Sequence, residues 1–99
     1  MSVKALLCGA NIYQTKSVYE RAKENLKFRF DVVSSINKFF EGDWGTVCVE
    51  DSIANDEALQ RTERVIGAYQ TCEGELWAIG ESHDGKTYTT ITVLFPDEY

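Results

Sequence analysis

Gly42-Asp43-Trp44-Gly45, followed closely by Glu50-Asp51-Ser52-Ile53-Ala54-Asn55, is the stretch on which the reading of this chain turns. An indole between two glycines, with a carboxylate before it, is poor material for a helix or a strand. The segment therefore predicts a tight junction that buries one anchor side chain. It separates a helix-rich first half from a strand-rich second half.

On the amino-terminal side of the junction, Val32, Val33, Ile36, Phe39 and Phe40 recur at helical spacing and Asp31 suits an N-cap, which predicts a helix over 31–41. Gly42 stands where a left-handed residue would end it. Phe28-Arg29-Phe30 alternates in the manner of a strand. Ser17-Val18-Tyr19-Glu20 has the form of a capping box, and Val18, Ala22 and Leu26 then share one stripe of a short helix. Val3-Lys4-Ala5-Leu6-Leu7-Cys8 reads as a first strand, ended by Gly9.

On the carboxy-terminal side, Asp51 or Ser52 caps a third helix, with Asp56 and Glu57 early and Arg61 and Arg64 at or beyond its end, an order that complements the helix dipole. Three strands follow, at Arg64 to Thr71, Glu75 to Glu81 and Tyr88 to Phe95. They are joined by Cys72-Glu73-Gly74 and by His83-Asp84-Gly85-Lys86, whose Asp-Gly pair predicts a type I′ turn. Trp77 and Ile79 fall on one face of their strand, and Ile91, Val93 and Phe95 on one face of the next. Pro96 closes the ladder. The predicted order is β-α-α-α-β-β-β: an α+β fold with an antiparallel sheet, built from a carboxy-terminal meander plus the first strand at an edge, and helices on one face.

Ninety-nine residues at 43% apolar content can bury one modest core, so residues 1–99 are read as a single domain. Ten basic against 16 acidic residues leave a formal charge of −6 and a pI near 4.7. That field repels phosphate backbones and anionic lipid, which argues against nucleic acid and membrane as partners. Cys8, Cys48 and Cys72 are widely separated and form no C-x-x-C pair, against a disulfide framework or zinc knuckle; reduced, buried thiols in a cytoplasmic protein are expected. Met1 to Leu7 lacks the layout of a signal peptide.

Two groupings could carry chemistry. Asp43, Glu50 and Asp51 are acidic neighbours of the kind used in acid/base or divalent-cation sites, and Asp51 and Asn55 share a helix face if the helix has begun at Asp51. The competing reading makes them caps and turn residues, with the Asn55 amide holding a neighbouring segment. His83 with Glu81, Asp84 and Cys72 lacks a metal-ligand spacing, and a His beside Asp-Gly is ordinarily a hairpin tip. The chain has no glycine-rich phosphate loop, serine elbow or basic-aromatic stripe. No cofactor is expected.

Gly42-Asp43-Trp44-Gly45, Glu50-Asp51, Asn55, Arg64-Val65-Ile66, Ala68-Tyr69, Leu76-Trp77-Ala78-Ile79, Thr89-Thr90-Ile91 and Leu94-Phe95-Pro96-Asp97-Glu98-Tyr99 together resemble a family of small bacterial proteins. Its members are labelled plasmid-related, and sometimes a subunit of a type I restriction-modification system. The hairpin Glu81 to Tyr88 departs from that family in length and charge. The resemblance implies an origin on plasmids, conjugative elements or phages, and no particular reaction.

The expected function is accordingly that of a non-enzymatic binding module which docks on a host or element-encoded protein, with an anti-CRISPR or anti-restriction role as its narrower form. Asp43, Trp44, Glu50, Asp51, Asn55 and Tyr99 are the candidate binding residues. The alternatives are a small metal-dependent enzyme using Asp43, Glu50 and Asp51, or His83 with Glu81, and a homodimer formed through an uncovered sheet edge or exposed aromatics such as Tyr88 and Tyr99.

Overall fold

The computed structural model describes residues 2–99. In chain order the elements are α1 (Val3–Leu7), β1 (Asn11–Gln14), α2 (Lys16–Glu24), α3 (Leu26–Phe40), α4 (Val49–Arg61), β2 (Val65–Thr71), β3 (Gly74–Glu81) and β4 (Thr90–Leu94), followed by a 3-10 turn over Pro96–Glu98. The fold is α+β. Its four-stranded sheet has the order β1-β4-β3-β2; β2, β3 and β4 are antiparallel, whereas β1 runs parallel to β4, with Asn11 opposite Thr90 and Gln14 opposite Val93.

The mixed sheet corrects the expectation of a purely antiparallel one, and the amino terminus is where the difference arises. Val3 to Leu7 is a helical turn, because the Ser2 hydroxyl accepts from the Ala5 amide and the turn buries Leu7 completely. The strand expected there falls instead at Asn11–Gln14, after the bend at Gly9. A helix over Lys16–Glu24 follows directly, and β4, reached only after three helices and two strands, lies parallel to β1.

Three helix starts also move. Thr15, not Ser17, caps α2 through its hydroxyl and the Val18 amide. Asn25 rather than Asp31 caps α3, accepting from the Phe28 amide, so Phe28-Arg29-Phe30 is helical and Phe28 is fully buried. Asp31, freed from capping, accepts from the Cys72 amide on the β2–β3 turn at 2.9 Å. α4 begins at Val49, with Asp51 and Ser52 inside its first turns rather than capping it. Gly42 does take the left-handed conformation after α3, at φ 78°.

The helix-facing side of the sheet presents Val65, Leu76, Ala78, Gly80, Ile91 and Val93. Phe39, Leu7 and Leu59 pack against one part of it, and Val18, Phe28 and Val32 against the other. Phe28 and Phe39, each 0% exposed, contribute about 2–3 kcal/mol apiece by burial. Gly80 lies under the Phe39 ring, 3.3 Å from where a side chain would begin, so the sheet admits that aromatic only over a glycine. On the opposite side, Trp77 meets the ring of Tyr99 edge-on at 5.5 Å.

The connection from β3 to β4 is not a type I′ hairpin, since Asp84 has negative φ and only Gly85 is left-handed. Asp84 organises the longer loop: its carboxylate accepts from the amides of Lys86 and Thr87 and from the Ser82 hydroxyl. Among the described residues no helix is long and apolar enough to cross a membrane.

Candidate functional site

Trp44 is an interior wedge. It is 3% exposed, meets Phe39 edge-on at 5.3 Å, and its indole N–H donates to the Asp56 carboxylate at 3.0 Å. The Asp43 carboxylate accepts from the Gly45 amide, and its carbonyl accepts the Tyr69 hydroxyl at 2.8 Å. Burial, and secondarily the Asp43 charge, push the Tyr69 phenol well above its usual pKa, so it remains a donor. Glu50 and Asp51 are exposed in the first turn of α4. Among the described residues no set of three or more His, Cys, Asp or Glu side chains is placed to hold a metal ion.

Asn55 lies 8% exposed on α4 and faces the edge of the sheet: its amide nitrogen donates to the Ile66 carbonyl at 2.9 Å and its oxygen accepts from the Ile66 amide at 3.1 Å. The next outward-facing residue of β2, Ala68, donates to the Trp44 carbonyl and accepts from the Thr46 amide, so Gly45 and Ala68 form a short parallel bridge. The β2 edge is thereby closed over Ile66 and Ala68. A chain that leaves a strand edge unpaired offers a template for pairing, and this stretch removes it.

Tyr99 is 64% exposed and receives a hydrogen bond from Arg64, which is also ion-paired to Glu81 at 3.3 Å. A hollow of about 480 Å³ beside it touches Asp51, Asn55, Arg64, Ala68 and Trp77. Of the six nominated residues, Asp51 and Asn55 thus reach one hollow, while Trp44 and Asp43 serve the junction. Tyr88, expected to be exposed, is 3% exposed, with its hydroxyl donating to the Glu63 carbonyl at 2.5 Å. His83 shares a 2.7 Å hydrogen bond with the Thr89 hydroxyl, and Glu81 is engaged by Arg64. The three cysteines, expected to be buried, are all exposed and unpaired in disulfides.

The opposite edge of the sheet is where the structure presents a surface that the nominated residues miss. In β1 the Asn11 amide donates to Thr89 and the Thr15 amide to Val93. Strand alternation then directs the amides and carbonyls of Ile12 and Gln14 away from β4. Among the described residues nothing pairs with them. The edge carries no Pro, no Lys and no bulge.

Beside this edge lies a groove of about 470 Å³ between β1, α2 and α3, with Ile12, Tyr19, Val33 and Ile36 as its apolar walls and Lys23 and Arg29 at its rim. Ile12 is 48%, Tyr19 50% and Val33 51% exposed, and Leu26 and Phe30 extend the apolar stripe along α3. Arg29 is held in place by donating to the Ala22 and Lys23 carbonyls, which fastens the end of α2 to α3. Asn11-Ile12-Tyr13-Gln14 gave only a weak signal in sequence, two β-formers between polar residues, because an edge strand with every side chain exposed shows no alternation to read.

Comparison with protein-family models, with curated proteins and with solved structures finds no match to this chain.

Proposed function

We propose that this protein is a non-enzymatic binding module that docks on another protein through the β1 edge and the apolar groove beside it. One observation carries the reading. The fold pairs Ile66 and Ala68 of its β2 edge with Asn55 and the 44–46 segment, yet leaves the outward groups of Ile12 and Gln14 open next to exposed Ile12, Tyr19 and Val33. The sequence resemblance adds a setting: an accessory protein of a plasmid, conjugative element or phage whose partner is a host or element-encoded protein. Blunting a defence system such as restriction or CRISPR immunity is the narrower form of the same proposal.

The test is affinity capture from a bacterial lysate at native salt, with the wild-type protein and with Ile12→Glu/Val33→Glu side by side. A partner retained by the first and lost by the second is expected. Capture of the same proteins by both would remove the groove from the reading, and recovery of none by the wild type would remove the binding role itself.

A further inference from the structure

The chemistry of the open edge also bears on what occupies it, an inference that rests on the docking surface proposed above. We infer that β1 receives an extended segment of a partner protein, added as a fifth strand, whose side chains combine apolar residues with carboxylates.

The main chain argues for an extended occupant. Ile12 and Gln14 present two amides and two carbonyls in a row at strand spacing, and another strand is the ligand that answers such a row. The helix-facing side chains supply the rest. Ile12 and Gln14 stand opposite Ile91 and Val93, whose side chains point to the helices, so a strand laid beside β1 sends alternate side chains into the groove against Tyr19, Val33 and Ile36.

Charge then selects among extended segments. The molecule carries a net charge of −6, yet no carboxylate lines this groove, and its two charged residues, Lys23 and Arg29, are cationic. Glu20 and Glu24 flank Lys23 on α2 but do not line the groove, so the charges a bound segment meets inside it are the two cations. A second copy of this chain fits less well as occupant. Its own edge, Asn11-Ile12-Tyr13-Gln14, brings no carboxylate to the two cations.

The test uses the full chain and blocked, fluorescein-labelled peptides followed by anisotropy. One peptide alternates valine and glutamate, a second alternates valine and lysine, and a series derived from the first is N-methylated at one residue at a time. The glutamate peptide is expected to bind at least about tenfold more tightly than the lysine peptide. Methylation is expected to abolish binding at every second residue only, the signature of strand addition. Gln14→Pro, which deletes one outward amide, is expected to abolish binding as well. The N-methyl series needs no protein variant and remains decisive if Gln14→Pro does not fold.

Equal affinity for the two peptides, or methylation effects without a period of two, would overturn the inference. So would a dimer in sedimentation that Gln14→Pro converts to monomer, since a second copy would then be the occupant. Failure of the glutamate peptide to bind, alongside lysate capture that still depends on Ile12 and Val33, would reject the acidic strand while leaving the docking surface standing.

Discussion

The side-chain amide of Asn55 pairs with both main-chain groups of Ile66, donating to its carbonyl at 2.9 Å and accepting from its amide at 3.1 Å. One residue of α4 thus occupies the position of a neighbouring strand. It also explains why a polar side chain is tolerated at 8% exposure, since each of its hydrogen-bonding functions meets a partner.

Replacing Asn55 by Leu leaves both groups of Ile66 without that partner and uncovers part of the β2 edge. The expected loss is about 2–4 kcal/mol in urea unfolding, with a rise in concentration-dependent aggregation. A loss below about 0.5 kcal/mol would mean that water replaces the amide without cost and that the pairing is incidental.

Gly45 and Gly85 both have positive φ, 78° and 72°, but their surroundings differ. A methyl group at Gly45 would overlap the Ala68 carbonyl oxygen, whereas one at Gly85 meets open space. Gly85→Ala is expected to cost about 1 kcal/mol, the backbone penalty alone. Gly45→Ala should cost on the order of 3 kcal/mol or more, because the bridge to Ala68 must also separate. Equal costs in a denaturation series would refute the claim that the junction is built on close backbone approach.

Edge prolines distinguish the two sides of β1. The Tyr13 amide faces β4 by the same alternation that turns Gln14 outward, so Tyr13→Pro deletes a ladder hydrogen bond and should cost about 3 kcal/mol. Gln14→Pro deletes only an outward amide and should change stability by less than about 1 kcal/mol. Thermal melts of the two variants provide the comparison, and a reversed order would place the open groups on the other residues.

Acid should loosen the loops before the sheet. The amides of Thr87 and Lys86 hold the Asp84 carboxyl down to about 2, from an ordinary 3.8. Its contribution is therefore complete above pH 3.8 and disappears as the pH falls through about 2. Hydrogen bonds from Asn25 and then Arg21 lower Glu73, and the Cys72 amide lowers Asp31, so the ties between α2, α3 and the β2–β3 turn fail in the same direction. Carboxyl-carbon and amide shifts followed by NMR should show Asp84, Lys86 and Thr87 titrating together near pH 2. A midpoint at the ordinary aspartate value would mean that the loop is not organised by this side chain.

The sequence by itself determined what depends on neighbours along the chain. The helical period of Val32, Ile36 and Phe39, the left-handed stop at Gly42, the buried indole between two glycines and the carboxy-terminal strands were all legible, because periodicity and turn chemistry act over a few residues. Even locally, caps compete: Ser17 and Asp31 resemble N-caps as well as Thr15 and Asn25 do, and packing of Val18 and Phe28 chose between them. Tertiary structure alone decided the role of β1, whose exposed side chains carry no pattern and whose direction is set by pairing with β4 at the far end of the chain. It also decided which edge is closed and which is open, since an edge is a property of the assembled sheet and of what α4 and the 44–46 segment lay against it.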